Sequence, residues 1–132
     1  MNLLLDTHAF LWAAFEPSKL RPRVRDILRA NEHRVAVSSM TFWEIALKAG
    51  LGKITLEGCG PEDLPLAAEA MRYEILLPDA SDMASFGRLP RAEHKDPFDR
   101  MIVWQAIRQG FTLITKDSGL SVYQKHGLKT LW

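Results

Sequence analysis

Four short apolar runs punctuate this chain: Leu3-Leu4-Leu5, Val35-Ala36-Val37, Tyr73 to Leu77 and Phe111 to Thr115. Stretches with helical spacing separate each run from the next. Three to five apolar residues bounded by polar ones fit a strand buried on both faces. Strands that alternate with helices need crossover connections, which give a parallel sheet with helices on both of its faces. The expected fold is therefore α/β with a mostly parallel central sheet, and Leu128 to Leu131 adds a final strand. Open sheets of this kind bind ligands outside the carboxyl ends of their strands.

The connecting stretches carry their own start and stop signals. Thr7 to Phe15 reads as a helix, and Pro17 and Pro22 bracket the entry to a second, with Val24, Ile27 and Leu28 at core-facing spacing. Ser38 or Ser39 is placed to cap a helix carrying Phe42, Trp43, Ile45, Ala46 and Leu47, which ends near Gly50 and Gly52. Turn signals fill Lys53 to Gly60, and Pro61-Glu62-Asp63 opens a helix through Ala67, Ala68 and Met71. A short helix from about Ser81 to Phe86 leads into the basic connection Arg88 to Lys95. Asp96 is the expected N-cap of the next helix, with Pro97 in its first turn and Gly110 at its end. A turn or short helix is expected around Asp117 to Tyr123. No repeat, low-complexity tract or linker divides residues 1–132, so one domain is expected.

Composition removes several classes. Hydrophobic residues at 47% and charged residues at 25% of 132 exclude a disordered tail and a collagen-like repeat. The single cysteine, Cys59, can close no intrachain bridge and rules out a cysteine-rich zinc site. Asp6 and His8 interrupt the first apolar stretch too early for an export signal, and the longest apolar run, Ala9 to Phe15, is far short of the ~20 residues of a membrane span. A cytoplasmic protein without membrane association is the expectation.

The acids are distributed unevenly along this plan. Asp6 follows the first strand, Glu44 lies in the helix after the second, Asp96 and Asp99 open a later helix, and Asp117 follows the fourth strand. All are thereby directed to one edge of the sheet. Gathered carboxylates repel one another and resist desolvation, so they require a cation or raised pKa values. Oxygen donors without cysteine or a spaced histidine pair suit Mg²⁺ or Mn²⁺ better than Zn²⁺. Each acid also has a local explanation: Asp96 as a cap, Asp99 as a partner of the helix dipole, Asp6 and Asp117 as caps after their strands. Glu44, among Phe42, Trp43, Ile45 and Ala46, is the hardest to explain locally. Net charge is +1, from 17 Lys and Arg against 16 Asp and Glu. With four acids drawn into one site, a cationic surplus of five remains elsewhere, enough to attract phosphates.

Asp6-Thr7-His8 followed by Leu11-Trp12, Ser38 to Ile45 continued by Lys48 and Leu51-Gly52-Lys53, Leu89-Pro90 with His94 and Asp96-Pro97-Phe98-Asp99-Arg100, and Thr115-Lys116-Asp117 form four motifs. Together they resemble, in order and approximate spacing, the PIN-domain nucleases, specifically the VapC-like toxins of type II toxin–antitoxin modules. That resemblance implies a three-layer αβα sandwich and a Mg²⁺-dependent endoribonuclease, with Asp6, Glu44, Asp99 and Asp117 as catalytic, metal-holding acids. Asp99 takes the family position before Arg100, and Asp96 is a supporting residue. Thr7, Thr41 and Thr115 fall where hydroxyls could orient carboxylates or water. The resemblance further implies cleavage to 5′-phosphate and 3′-hydroxyl ends, a homodimer, and a cognate antitoxin that covers the groove.

Arg88, Arg91, Lys95, Arg100 and Lys116 lie beside the acids in sequence and are expected to hold an RNA backbone. His94 and His8 are read as loop-fixing residues rather than catalytic ones. Trp12, Trp43 and Trp104 are read as packing residues, in the core or between subunits. Two other functions compete with cleavage. One is a PIN-like module that binds RNA or protein without cutting. The other is a phosphoacceptor domain, whose acceptor would have to lie near Asp79.

Overall fold

The computed structural model describes residues 1–132. Five strands, β1 (Asn2–Leu5), β2 (Arg34–Ser38), β3 (Glu74–Leu76), β4 (Thr112–Ile114) and β5 (Lys129–Leu131), form one sheet in the order β3-β2-β1-β4-β5. Every pairing is parallel. Six α-helices connect them: α1 (Thr7–Phe15), α2 (Pro22–Arg29), α3 (Ser39–Gly50), α4 (Leu64–Ala70), α5 (Ala80–Ser85) and α6 (Pro97–Gln109). Short 3₁₀ segments cover Pro17–Lys19, Pro61–Asp63, Phe86–Arg88 and Ser118–His126. The strands at Tyr73 to Leu77 and Phe111 to Thr115 are each shorter by their end residues than the apolar runs predict. Tyr73 and Phe111 are buried, but they pack as entry residues rather than in the ladder.

Strand alternation divides the core into two halves. Leu4, Ala36 and Leu113 face α6 together with Met101, Ile102 and Ala106. Leu3, Leu5, Val35, Val37 and Ile114 face the opposite layer, with Phe10, Val24, Ile45, Leu64 and Ala68. Both faces of the sheet are covered, as continuous rather than alternating apolar strands require. No helix is long and apolar enough to cross a membrane.

The ends of α6 fix which edge of the sheet its first acids reach. The helix begins at Pro97 behind the Asp96 cap and ends at Gly110, which takes a left-handed φ of 72°. Its N-terminus therefore lies at the edge where the strands end. There, β1 sends the chain towards β2 and β3 on one side, while β4 and β5 add on the other. A crevice opens where the winding reverses.

Candidate active site at the carboxyl edge of the sheet

Asp6 is the first residue past β1 and caps α1, with Oδ1 accepting the Ala9 N–H at 2.8 Å. Ser38 closes β2 and caps α3, whose inner side carries Glu44. Asp96 Oδ1 accepts the Phe98 and Asp99 N–H groups at 2.8 and 3.4 Å, so that Oδ2 is not used by the cap and faces the crevice. Asp117 follows β4 and caps the 3₁₀ segment through the Gly119 N–H at 2.8 Å. The local capping explanations are thus correct for Asp6, Asp96 and Asp117. They do not compete with convergence, because a cap occupies one carboxylate oxygen and leaves the other.

Glu44 is only 2% exposed. The Thr7 hydroxyl donates to its Oε1 at 2.6 Å, and Thr41 Oγ1 lies 3.2 Å from Thr7 Oγ1. Lys48 donates to its other oxygen, Oε2, and stands 3.7 Å from Asp96 Oδ2. Asp99 Oδ2 lies 2.9 Å from His94 Nε2, and His94 Nδ1 lies 3.8 Å from Asp117 Oδ2. Thr115 accepts the Asp117 N–H at 3.0 Å and hydrogen-bonds the Asp6 carboxylate. All three threonines therefore touch acids or their hydroxyl partners.

Donor atoms of Glu44, Asp96 and Asp99 lie within 4.8 Å of one another, as do those of His94, Asp99 and Asp117. Asp99 belongs to both groups. This oxygen-dominated donor set fits a hard divalent cation such as Mg²⁺ or Mn²⁺. Asp6 belongs to neither trio, whereas the sequence resemblance groups it with Glu44 and Asp99. It is close enough to Asp99 for the two charges to repel.

The electrostatics reflect burial first and crowding second. Burial pushes the Asp6 carboxyl up to about 6, against the Thr115 and Ala9 hydrogen bonds, and the charge of Asp99 adds to the rise. Asp99 is raised by burial and by the charges of Asp96 and Glu44, with the His94 hydrogen bond opposing. Burial disfavours the Lys48 ammonium, yet its hydrogen bond to Glu44 and the fields of Glu44, Asp96 and Asp99 outweigh that and raise its pKa. Negative charge at this edge is incompletely balanced by the protein itself.

Two residues stand out here beyond the expected acids. Lys48 lies at the i+4 position from Glu44, a helical spacing that places both on one face and was readable from sequence. His94, read from sequence as a loop-fixing residue, stands between Asp99 and Asp117, 2.9 Å and 3.8 Å from their Oδ2 atoms. Of the basic residues, Arg88, Arg91, Lys95 and Lys116 are exposed, and Arg88 lines a separate pocket with Ser81, Trp104 and Arg108. Arg100 is placed differently: it donates to the Leu89 carbonyl at 2.9 Å and lies 4.8 Å over the Phe86 ring, so it braces the loop that carries His94. Arg91, His94, Lys95 and Arg100 line a cavity of ≈ 320 Å³ beside the acids.

The tryptophans divide as well. Trp12 is half-buried against Trp132 and beneath Lys116, and Trp104 donates to the Asp82 carbonyl and Ser85 Oγ, both at 3.1 Å. Trp43 is 60% exposed and meets Phe98 edge-on, so it is no part of the core. Asp79 caps α5 after the edge strand β3, accepting the Asp82 N–H at 2.7 Å, and β2 separates that strand from β1. It is outside the acid crevice, which removes the phosphoacceptor reading.

Comparison with known proteins agrees with this geometry. The PIN domain family profile matches residues 3–125. Ribonuclease VapC22 of Mycobacterium tuberculosis (strain ATCC 25618 / H37Rv) is 31% identical over 133 residues, covering 99% of this chain and 98% of its own. Among solved structures, VapBC2 from Rickettsia felis bound to a DNA fragment from their promoter is similar in fold, with a TM-score of 0.69 at 21% identity over 100% of this chain and 99% of that one. FitAB bound to an IR36 DNA fragment gives a TM-score of 0.65 at 22% identity, over 98% and 93% of the two chains. A matching profile across most of the chain, a full-length VapC relative and the parallel αβα architecture lead to one conclusion: this chain belongs to the PIN domain family and is of the VapC type.

Proposed function

We propose that this chain is a Mg²⁺- or Mn²⁺-dependent endoribonuclease, the toxin of a type II toxin–antitoxin pair, with Asp6, Glu44, Asp99 and Asp117 as its catalytic acids. The observation that carries this reading is the gathering of acids from three separate segments, Glu44, Asp96 with Asp99, and Asp117, into two donor groups that share Asp99, each with its donor atoms within 4.8 Å. The ribonuclease named among its relatives supports RNA as substrate. Solved VapBC complexes of the same fold support an antitoxin partner; a cytoplasmic location and a homodimer follow from the family resemblance and complete the proposal.

Asp99 would hold a metal ion together with Asp117 on one side of the crevice or with Glu44 and Asp96 on the other. Bound there, a hard divalent ion neutralises phosphodiester charge and lowers the pKa of water. The protein supplies the rest. Thr7 fixes the rotamer of Glu44, while Thr115 fixes Asp6 and the backbone of Asp117. Asp117, the most exposed of these acids, is placed to accept a proton from attacking water. Arg88, Arg91, Lys95 and Lys116 hold phosphates of the RNA backbone. Arg100 contributes by holding the Leu89 to Lys95 connection in place.

The direct test incubates an RNA panel with the purified chain in Mg²⁺, Mn²⁺ or EDTA, beside Asp6→Asn and Asp99→Asn. Cleavage confined to the metal-containing wild-type reactions, leaving 5′-phosphate and 3′-hydroxyl ends, is the expected result. RNA binding without cleavage in any metal would favour the non-cutting module instead.

A further inference from the structure

Lys48 has no part in the acidic quartet, yet it occupies the side of the crevice where Glu44 and Asp96 meet. Both oxygens of Glu44 are engaged, Oε1 by Thr7 and Oε2 by Lys48. Asp96 has one oxygen committed to the start of α6, and its other faces the Lys48 ammonium at 3.7 Å. A cation is therefore already seated between two members of the Glu44, Asp96 and Asp99 group. It is tethered by a helix: four residues separate it from Glu44, so the ammonium cannot leave without a rotamer change that uncovers a nearly buried carboxylate. The His94, Asp99 and Asp117 group contains no such resident ammonium.

We propose that Lys48 is a built-in second cation of this site, a positioning residue that fills the Glu44–Asp96 side and restricts the chain to one divalent ion. This rests on the metal-dependent reading of the crevice and specifies its stoichiometry. A lysine ammonium carries one charge and three N–H donors but no open coordination position, so it can bridge two carboxylates without activating a water as a metal ion does.

Mn²⁺ is the probe, titrated into the full chain at neutral pH and followed by electron paramagnetic resonance of the free ion. Wild type and Lys48→Arg are expected to bind one ion per chain, while Lys48→Met binds two. Lys48→Gln serves as a second neutral variant should the methionine chain fail to fold, with circular dichroism as the check. The metal-free melting temperature should fall in the neutral variants and recover with Mn²⁺ more fully than in Lys48→Arg. Two ions on the wild type, or a single ion on both neutral variants, overturns the proposal for Lys48 and leaves the nuclease reading standing. No Mn²⁺ on the wild type overturns both.

Discussion

The two ends of the sheet handle charge in opposite ways. At the amino edge, Arg34 of β2 and Glu74 of β3 form a two-pronged ion pair, with both N···O distances 2.7 Å, in full view of solvent. The pair holds the Glu74 carboxyl below its usual range. At the carboxyl edge, five acids share one nearby lysine, Lys48, and the His94 imidazole, and the carboxyls of buried Asp6 and half-buried Asp99 are pushed upward instead, chiefly by burial. One edge is electrically closed and contributes little. The other carries an imbalance that a folded protein retains at a cost, and that imbalance is what a divalent ion can relieve.

The sharpest way to break this contrast is Asp99→Asn, which removes charge while keeping volume. Cleavage should fall by at least about a hundredfold, measured on RNA in Mg²⁺, while the metal-free melting temperature holds or rises. Full activity in that variant would show that the imbalance has no catalytic role. A pH series is the next largest effect. Asp6 has a folded pKa of about 6 against 3.8 when unfolded, so its protonated form stabilises the fold fully below pH 4. That stabilisation is lost as pH rises through 6, and at ~1.4 kcal/mol per unit it amounts to about 3 kcal/mol. Denaturant melts of the metal-free chain should show the loss, and Asp6→Asn should flatten it. The sign is opposite at Glu74, whose pairing is lost only as pH falls below the ordinary carboxylate range.

Smaller effects separate capping from charge. Asp96→Ala should cost about 1 kcal/mol of stability through loss of the α6 cap, whereas Asp96→Asn should cost a few tenths, because asparagine caps nearly as well. If Asp96→Asn abolishes cleavage with unchanged melting, its free oxygen matters more to the site than its cap. Smallest of all, Glu74→Gln should leave melting temperature and cleavage rate unchanged within error. A change in either would mean that the amino edge is coupled to the crevice.

Much of this was legible in the chain because the relevant signals are local. Apolar runs set β1, β2 and β4 to within a residue or two, and Asp96-Pro97 and Gly110 mark both ends of α6. Four short motifs singled out the acids: Asp6, Asp96, Asp99 and Asp117 sit at a strand end or a helix start, whereas Glu44 lies inside α3. What could not be read depends on distance in space. Nothing local distinguishes Arg100, which braces a loop, from Arg91, which faces solvent. That Asp96 is both cap and crevice wall requires knowing where its second oxygen points. The exposure of Trp43 was hidden because its apolar neighbours describe a helix without saying which side the sheet occupies.

Gln105 shows how the spacing at the crevice is held. Its side chain, fully buried in α6, accepts from Ser38 at 2.6 Å and donates to the Leu76 carbonyl at 3.3 Å. One amide thus keys the helix to the ends of two neighbouring strands. Sliding α6 by a single turn would carry Asp99 about 5.4 Å along its axis, farther than the span of either donor group. Apolar contacts are non-directional and specify such a register less sharply than a hydrogen bond does. The polar key sets the register, and the reach of Asp99 to its neighbours is governed by a residue six positions away that never touches them.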